Sequence, residues 1–425
     1  MKLSLLSAAP VLLLASSTAF AQAPAATPAP AAAPAATPAA APDAPAAAVA
    51  PPVVAATPAP APAPVLAPAE VLPPPATPEL ALAPKLGILK DGWWQPGATL
   101  QFWAFGANQA GETQTTLRLR RAELRIKGEV IPKLLGFNVM IDPARVLESN
   151  KTPVNVTSSD GTTVGTVAIN NQGTITILQD FGITLMSDYA DVTVGQFKIP
   201  VSYEGSNSAA KLLFPERAVV SRKFGDQRDI GIKVEKKLSK HFYYQAAIFN
   251  GEGQNRTDGN KQKDLAARLE VYPIDGVMVG LVGYTGFTHR DESPTKDRLE
   301  ADFKLDLANV LLQAEYIHGW DGVTGQEMKP RTESAGVYAV LGYTFMDKLQ
   351  PVFRIGHYDP DVTQDLPGSG ERTTLPTSDE VTTYEFGLNY YLRGDNAKLQ
   401  AAWSKYVYKN EPDRGEVIIA AQAAF

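Results

Sequence analysis

From Arg298 to Leu307 charged and apolar side chains alternate without a break. Arg298, Glu300, Asp302, Lys304 and Asp306 share one parity, and Leu299, Ala301, Phe303, Leu305 and Leu307 share the other. A helix of 3.6 residues per turn would mix the two sets, whereas a strand sends them to opposite faces. The segment is therefore expected to be a strand with one oily and one charged face. Ala267–Val271 and Tyr384–Tyr390 repeat the pattern. Residues 85–425 hold no uninterrupted apolar stretch long enough to cross a bilayer as a helix. If this part of the chain crosses a membrane, it does so as strands. Strands in lipid must close into a barrel, so that no backbone group is left unpaired.

Alternation alone would also suit a soluble sandwich; the spacing of the breaks decides. Sixteen segments are expected, near 98–106, 115–129, 133–142, 175–186, 190–199, 228–238, 241–250, 263–272, 276–286, 297–306, 309–319, 334–345, 348–358, 381–391, 397–408 and 415–425. Long polar connections near 107–114, 143–174, 200–227, 251–262, 287–296, 320–333, 359–380 and 409–414 alternate with short ones at 131–132, 187–189, 239–240, 273–275, 308, 346–347 and 392–396. An even-stranded antiparallel transmembrane barrel predicts this order, with long loops outside and tight turns on the periplasmic side. The fold class expected is therefore all-β. Aromatics near the strand ends (Trp93, Trp94, Phe102, Trp103, Phe242, Tyr243, Tyr343, Phe345, Tyr390, Tyr391, Tyr406 and Tyr408) are expected to form girdles at the two interfaces.

The N-terminal part of the 425-residue chain has a different character. Residues 1–21 carry Lys2, an apolar run through Leu14 and Ala19-Phe20-Ala21, the signature of a cleaved signal peptide. Residues 22–84 are almost wholly Ala, Pro, Thr and Val, and proline at this density forbids both helix and ladder. This stretch is expected to be a disordered, extended periplasmic spacer, either a passive linker or a tether in contact with the cell wall. Setting aside Lys2, Asp43, Glu70 and Glu79, all before residue 85, leaves 38 cationic and 42 acidic side chains, a net charge of −4. In so mildly acidic a domain a basic cluster stands out. The chain has no cysteine, which excludes disulfides and thiolate metal sites.

The strongest basic cluster is Leu117-Arg-Leu-Arg-Arg-Ala-Glu-Leu-Arg-Ile-Lys127. Leu117 and Leu119 oppose Arg118 and Arg120, and Leu124 and Ile126 oppose Glu123, Arg125 and Lys127, so the parity slips once near Arg121. One extra residue in a strand is a β-bulge. Facing lipid at mid-depth each cation would cost about 2–4 kcal/mol, so Arg118, Arg120, Arg125 and Lys127 are expected to face the lumen. A second cluster lies in and around the loop at 200–227, where Lys198, Lys211, Arg217, Arg222, Lys223 and Arg228 outnumber Glu204, Glu216 and Asp226. Lys198 and Gln196 alternate with Phe197 and Ile199, but Val192 and Val194 share the parity of Lys198, so alternation leaves the inward face of that half open.

Three runs, Gly195-Gln-Phe-Lys-Ile-Pro200, Phe214-Pro-Glu-Arg217 and Arg228-Asp-Ile-Gly231, together with Leu119-Arg-Arg-Ala122, resemble the phosphate-selective porin O/P family of outer-membrane barrels. The resemblance covers most of residues 98–425. It implies that the loop after Lys198 folds into the barrel and forms the constriction, that the protein is a homotrimer, and that phosphate and chloride are its solutes. Lys198, Arg217, Arg222, Lys223 and Arg228 would then meet the cations of 117–127 across the bore. Guanidinium forks suit oxyanions, and a ring of such charges favours anions. The final strand, ending in Phe425, resembles the one that porins present to the barrel-assembly machinery. Glu270, Glu300, Asp302, Asp306 and Glu385 share the expected interior, so a transverse field, basic on one wall and acidic on the other, is also expected.

Enzyme signatures are weak. Ser208-Ala-Ala-Lys211 fits a Ser-x-x-Lys pattern, but no Lys-Thr-Gly follows and the context reads as loop rather than helix. His241, His289, His318 and His357 are scattered, and Asp359, Asp361, Asp365 and Glu371 lack the spacing of a calcium-hand loop. No catalytic residue, cofactor, resident metal or nucleic-acid partner is expected. The reading is an outer-membrane porin of residues 85–425, in contact with outer-membrane lipid, that passes small anions by diffusion. Its rivals are a non-selective general porin and a structural barrel that ties the membrane to the cell wall through 22–84.

Overall fold

The computed structural model describes residues 84–88, 90–147, 151–157, 163–170, 177–259, 261–287, 295–322, 331–363 and 380–425, with only the backbone given for 151–157, 163–170 and 295. The signal peptide, all of the spacer but Pro84, His289, Asp365 and Glu371 lie outside the described residues.

Sixteen antiparallel strands close on themselves. Counting barrel strands only, they are β1 Gly92–Gln109, β2 Glu112–Ile131, β3 Leu135–Ile141, β4 Leu178–Leu185, β5 Asp191–Lys198, β6 Arg228–Ser239, β7 Phe242–Phe249 and β8 Asp264–Val271. The second half comprises β9 Val277–Phe287, β10 Thr295–Leu307, β11 Val310–Asp321, β12 Thr332–Tyr343, β13 Leu349–Asp359, β14 Val381–Arg393, β15 Ala397–Tyr408 and β16 Arg414–Ala424. Each pairs with its neighbours in sequence, and β16 returns to β1 from Arg414↔Gln109 to Ala424↔Thr99. All sixteen expected strands are present, and the long–short order of connections holds except at the first, expected long near 107–114, where the strands run on to Gln109 and Glu112 and only Ala110-Gly111, both at positive φ, makes the turn. β1 begins at Gly92 rather than near 98, because Leu86–Ile88 folds back to pair with Gly92–Trp94. The long connection after β3 holds a separate hairpin, Lys151–Thr157 with Thr163–Asn170.

The tight turns follow from residues that accept positive φ. Ala308-Asn309 sits at φ 49° and 68° and Met346-Asp347 at 50° and 57°. Two consecutive left-handed residues make a turn whose twist matches that of the strands it joins.

Burial is inverted relative to a soluble protein. Phe102, Leu117, Ile183, Leu281, Leu299, Leu341, Phe386 and Ile419 are exposed, while Gln101, Glu300, Glu315, Arg354 and Lys398 are almost wholly buried. Alternating strands with polar residues inside and apolar residues outside present an oily belt to lipid. Outward rings pack side by side in it, as at Phe353–Phe386 (4.8 Å between centroids) and Phe386–Trp403 (6.0 Å). The girdle expected from the strand ends needs correction where rings turn inward, Tyr408 packing on the inner core and Tyr391 donating to buried Gln350 among them. Trp103 pairs with Arg118 on the inner face and is buried, Tyr243 lines an inner cavity, and Tyr406 is buried against the inner core.

Candidate functional site

The register of β1 against β2 shifts between Gln101 and Phe102, so that Gln101 faces Arg121 and Phe102 faces Leu119. Arg120 is the extra residue of a β-bulge, as the parity slip predicts. Its effect is to turn two consecutive arginines to the same side. Arg120 Nη2 and Arg121 Nη2 reach the two carboxylate oxygens of Glu216 at 2.8 and 3.1 Å. Arg118 lies beside them, its guanidinium 4.7 Å from the centre of the Trp103 ring and 5.0 Å from that of Phe105. Further down the strand Arg125 bonds Glu123 and Thr99, and Lys127, paired with inward Gln95, is exposed.

Glu216 belongs to the segment between β5 and β6, which folds inside the barrel as the resemblance implies. It carries three short helices: α1 Tyr203–Ser206, the 3₁₀ turn Ala209–Lys211 and α2 Val219–Phe224. Its apolar residues Val201, Leu212, Phe214, Val220 and Phe224 form a core with inward residues of the far wall, including Ile317, Tyr338, Val352 and Tyr358. The wall makes room for two of them. A Cβ on Gly336 would lie 2.8 Å from Val220 Cγ2, and one on Gly319 would lie 2.8 Å from Phe224 Cε1. Polar wall residues hold the loop backbone, with Lys398 Nζ donating to Leu212 O (2.9 Å) and Asn389 Nδ2 to Leu213 O (2.9 Å). Gln422 Nε2 donates to Ala210 O (3.0 Å), and Gln101 Nε2 donates both to Ala209 O (3.3 Å) and to Gln422 Oε1 (2.7 Å).

Ion pairs lock the loop on itself. Lys198 Nζ donates to Gly205 O and Asn207 O and pairs with Asp226 at 3.0 Å. Arg217 bonds Glu204 O, Asn207 O and Asp226. Burial pushes the Asp226 carboxyl up, but Lys198, Arg217 and Arg228 around it bring it below its ordinary value. Glu216 follows the same pattern. Burial opposes its charge, yet Arg121, Arg120 and Arg222 hold its carboxyl well below the usual carboxylate range. Arg222 and Lys223, at the end of α2, are exposed. Burial and then Arg222 push the Lys223 amine down from its ordinary value.

The wall opposite β2 carries acids, but arginines engage them. Arg268 on β8 pairs with Glu270 (2.7 Å), Glu300 (3.1 Å) and Asp302. Arg354 on β13 forks onto Glu385 at 2.7 and 2.8 Å and reaches Glu204 of the loop at 3.0 Å. Between the loop and β3–β8 lies a cavity of about 460 Å³. Its lining mixes Lys198, Lys233 and Arg268 with Asp180, Glu235 and Glu270.

Residues 100–288 match the family model described as phosphate-selective porin O and P. The match spans 189 of the 425 residues. Together with the closed barrel this makes the chain an outer-membrane porin channel. No curated protein sequence matches the chain. Among solved structures, the anion-selective porin from Comamonas acidovorans superposes with a TM-score of 0.54 at 9% identity, over 79% of this chain and 100% of that one. The outer membrane channel DcaP of Acinetobacter baumannii gives 0.53 at 12%, over 79% and 97%. A loop L8 deletion mutant of OmpT, an outer membrane protein of Vibrio cholerae, gives 0.51 at 11%, over 79% and 100%. At these identities the likeness is one of fold.

Within the porin the nine sequence-predicted cations separate into groups. Arg120 meets the loop at Glu216, Arg118 lies over Trp103 and Phe105 of β1, and Arg125 and Lys127 follow further along β2. Lys198 and Arg217 knit the loop, Arg228 is buried against Asp180 (2.7 Å), and Arg222 and Lys223 project from α2. Lys198 reaches inward as expected. Its neighbours Phe197 and Ile199 do not face lipid but are buried in the loop core. The face they occupy is covered by the inserted loop instead of lipid, since pairing runs unbroken to Lys198 and the chain then turns into the bore. Ser208 caps the 3₁₀ turn, its Oγ accepting from Ala210 N, so Ser208-Ala-Ala-Lys211 does include a helical turn. Arg121, Arg268 and Arg354 escaped the sequence reading. The bulge that the sequence signals could have flagged Arg121; Arg354 has an acid in register on the neighbouring strand, Glu385, and Arg268 has one two strands away, Glu300, in register through Val282.

Proposed function

We propose that the porin passes small anions passively through a constriction formed by the loop at 199–227 and the arginines of β2, with phosphate among its preferred solutes. The observation that carries this reading is the bulge at Arg120. It sets Arg118, Arg120 and Arg121 side by side on the inner face, with Glu216 the carboxylate that answers them. Arg222 stands close enough to lower Glu216 further. Glu270, Glu300, Asp302 and Glu385 of the far wall are engaged by Arg268 and Arg354, which weakens the opposing half of the transverse field. Guanidinium forks can replace two waters of a tetrahedral oxyanion at once. The family, described as phosphate-selective, and the anion-selective Comamonas porin support the same reading. The cavity on the β3–β8 side, where acids and bases balance, favours a second reading, a general porin without strong preference.

The proposal includes export by the signal peptide at 1–21, a spacer at 22–84 on the periplasmic side, a homotrimeric assembly, and insertion through a final strand ending at Phe425. Deleting 22–84 distinguishes channel from tether: a channel keeps its conductance, while a tether loses envelope integrity. The central test is the reversal potential of the purified porin in a planar bilayer under a KCl gradient, followed by phosphate addition. An anion-selective sign, with chloride current blocked by phosphate and block relieved in Arg118→Glu, is the expected result. A cation-selective or near-zero potential would overturn the anion reading.

A further inference from the structure

We propose that the porin holds one calcium ion between Glu300, Asp302 and Glu315, behind the constriction loop. Each of these residues offers a carboxylate oxygen, and the three oxygens lie within 4.8 Å of one another. One Ca²⁺ spans such a spread at about 2.4 Å per ligand, whereas Mg²⁺ requires about 2.1 Å and near-ideal octahedral geometry.

Three observations single out this cluster. The first is register. Asp302 on β10 and Glu315 on β11 are directly opposite, and like charges so placed destabilise a sheet. The second is satisfaction. Asp302 Oδ1 and Glu315 Oε1 are buried without any hydrogen-bond partner, in side chains 3% and 1% exposed. A buried carboxylate oxygen with no donor is costly, and a cation is the group that answers it. The remaining oxygens are already taken. Glu300 receives Arg268 and the Ser202 amide, Asp302 Oδ2 receives Arg268, and Glu315 Oε2 receives the Glu204 amide and Tyr338 Oη. The third is charge. Three carboxylates (Glu270, Glu300 and Asp302) share one guanidinium, Arg268, and a fourth, Glu315, stands opposite Asp302. Arg354 is committed to Glu204 and Glu385, and Glu315 has no ion pair among the described residues. A divalent ion would lower the residual charge from −3 to −1.

The site also has a mechanical role. Ser202 N and Glu204 N, at the start of the loop, donate to Glu300 Oε2 (2.7 Å) and Glu315 Oε2 (3.1 Å). An ion on the other side of the same carboxylates fixes the acceptors that hold the loop, so calcium sets the firmness of the constriction without facing the solute.

The full chain, refolded in detergent free of lipopolysaccharide and stripped with chelator, provides the test. Tb³⁺ replaces Ca²⁺ in oxygen sites and is excited through nearby tyrosine, here Tyr338. The expected result is saturable Tyr-sensitised emission at one Tb³⁺ per chain, displaced by Ca²⁺, together with a melting temperature that chelator lowers and Ca²⁺ restores. Glu315→Gln and Asp302→Asn each weaken Tb³⁺ binding on the order of tenfold or more. Equal affinity in a folded Glu315→Gln variant would overturn the proposal. So would a wild-type melting temperature indifferent to chelator and Ca²⁺, which would mean that shared protons neutralise the cluster. Neither readout depends on conductance, so failure here leaves the anion reading untouched.

Discussion

β2 and the wall formed by β8 to β14 both bring arginine to the inner face, and they use it in opposite ways. On β2, Arg120 and Arg121 both pair with Glu216 while Arg118 lies beside them over Trp103, so cations outnumber the acid they meet. On the far wall Arg268 and Arg354 are enclosed by acids, Glu270, Glu300 and Asp302 in one case and Glu204 and Glu385 in the other. An arginine in a pore is thus a filter or a rivet according to the number of carboxylates around it. Under the proposed function the first group lends its field to a passing anion, while the charge of the second is taken up by the wall.

The largest effect that would break this contrast is at Arg354. Arg354→Met leaves Glu204 and Glu385 buried without a cation and is expected to cost about 3–5 kcal/mol, read by denaturant unfolding in micelles. Arg120→Met, at a site where cations are in excess, should unfold near the wild-type midpoint. Equal losses in both would erase the distinction. Next comes selectivity. Arg120→Glu is expected to reverse the sign of the zero-current potential, while Arg268→Gln should reduce stability more than it alters ion preference.

A smaller effect concerns pH. The Glu216 carboxyl is held below its unfolded value of about 4.3, so its contribution to loop docking is fully present above that pH and is lost only as pH falls through the depressed folded value. Selectivity should therefore stay flat from about pH 8 to pH 5 and fail only in stronger acid. A midpoint near pH 5 in bilayer recordings would mean that the Arg120–Glu216–Arg121 cluster is not formed. The smallest change is expected for Lys223→Gln, where an exposed amine 5.5 Å from the Tyr358 ring adds a modest attraction for anions. It should lower single-channel anion conductance without altering the sign of selectivity.

The strand plan was legible because period-two alternation and tight-turn residues are local properties. Arg298–Leu307 declares both its faces, and Ala308-Asn309 its turn. The bulge at Arg120 was legible for the same reason, as a slip of parity within one strand. The pairing of charges was not, since it depends on register between strands far apart in sequence. Nothing local to Arg354 announces that Glu204 will reach it from a loop 150 residues earlier. Phe197 and Ile199 misled for a related reason. Their alternation is real, but the face they occupy is covered by the chain's own loop rather than by lipid, and apolar side chains suit either cover.

The loop's grip on Gln101 and Gln422 bears on how the cylinder shuts. These two residues pair in register where the last strand meets the first, and each also holds a loop carbonyl, of Ala209 and Ala210. The inserted segment therefore works as an internal clasp across the zipper line. A chain cut within 199–227 would lose more than its filter: its final strand would be easier to peel away, and its closed form would take longer to reach.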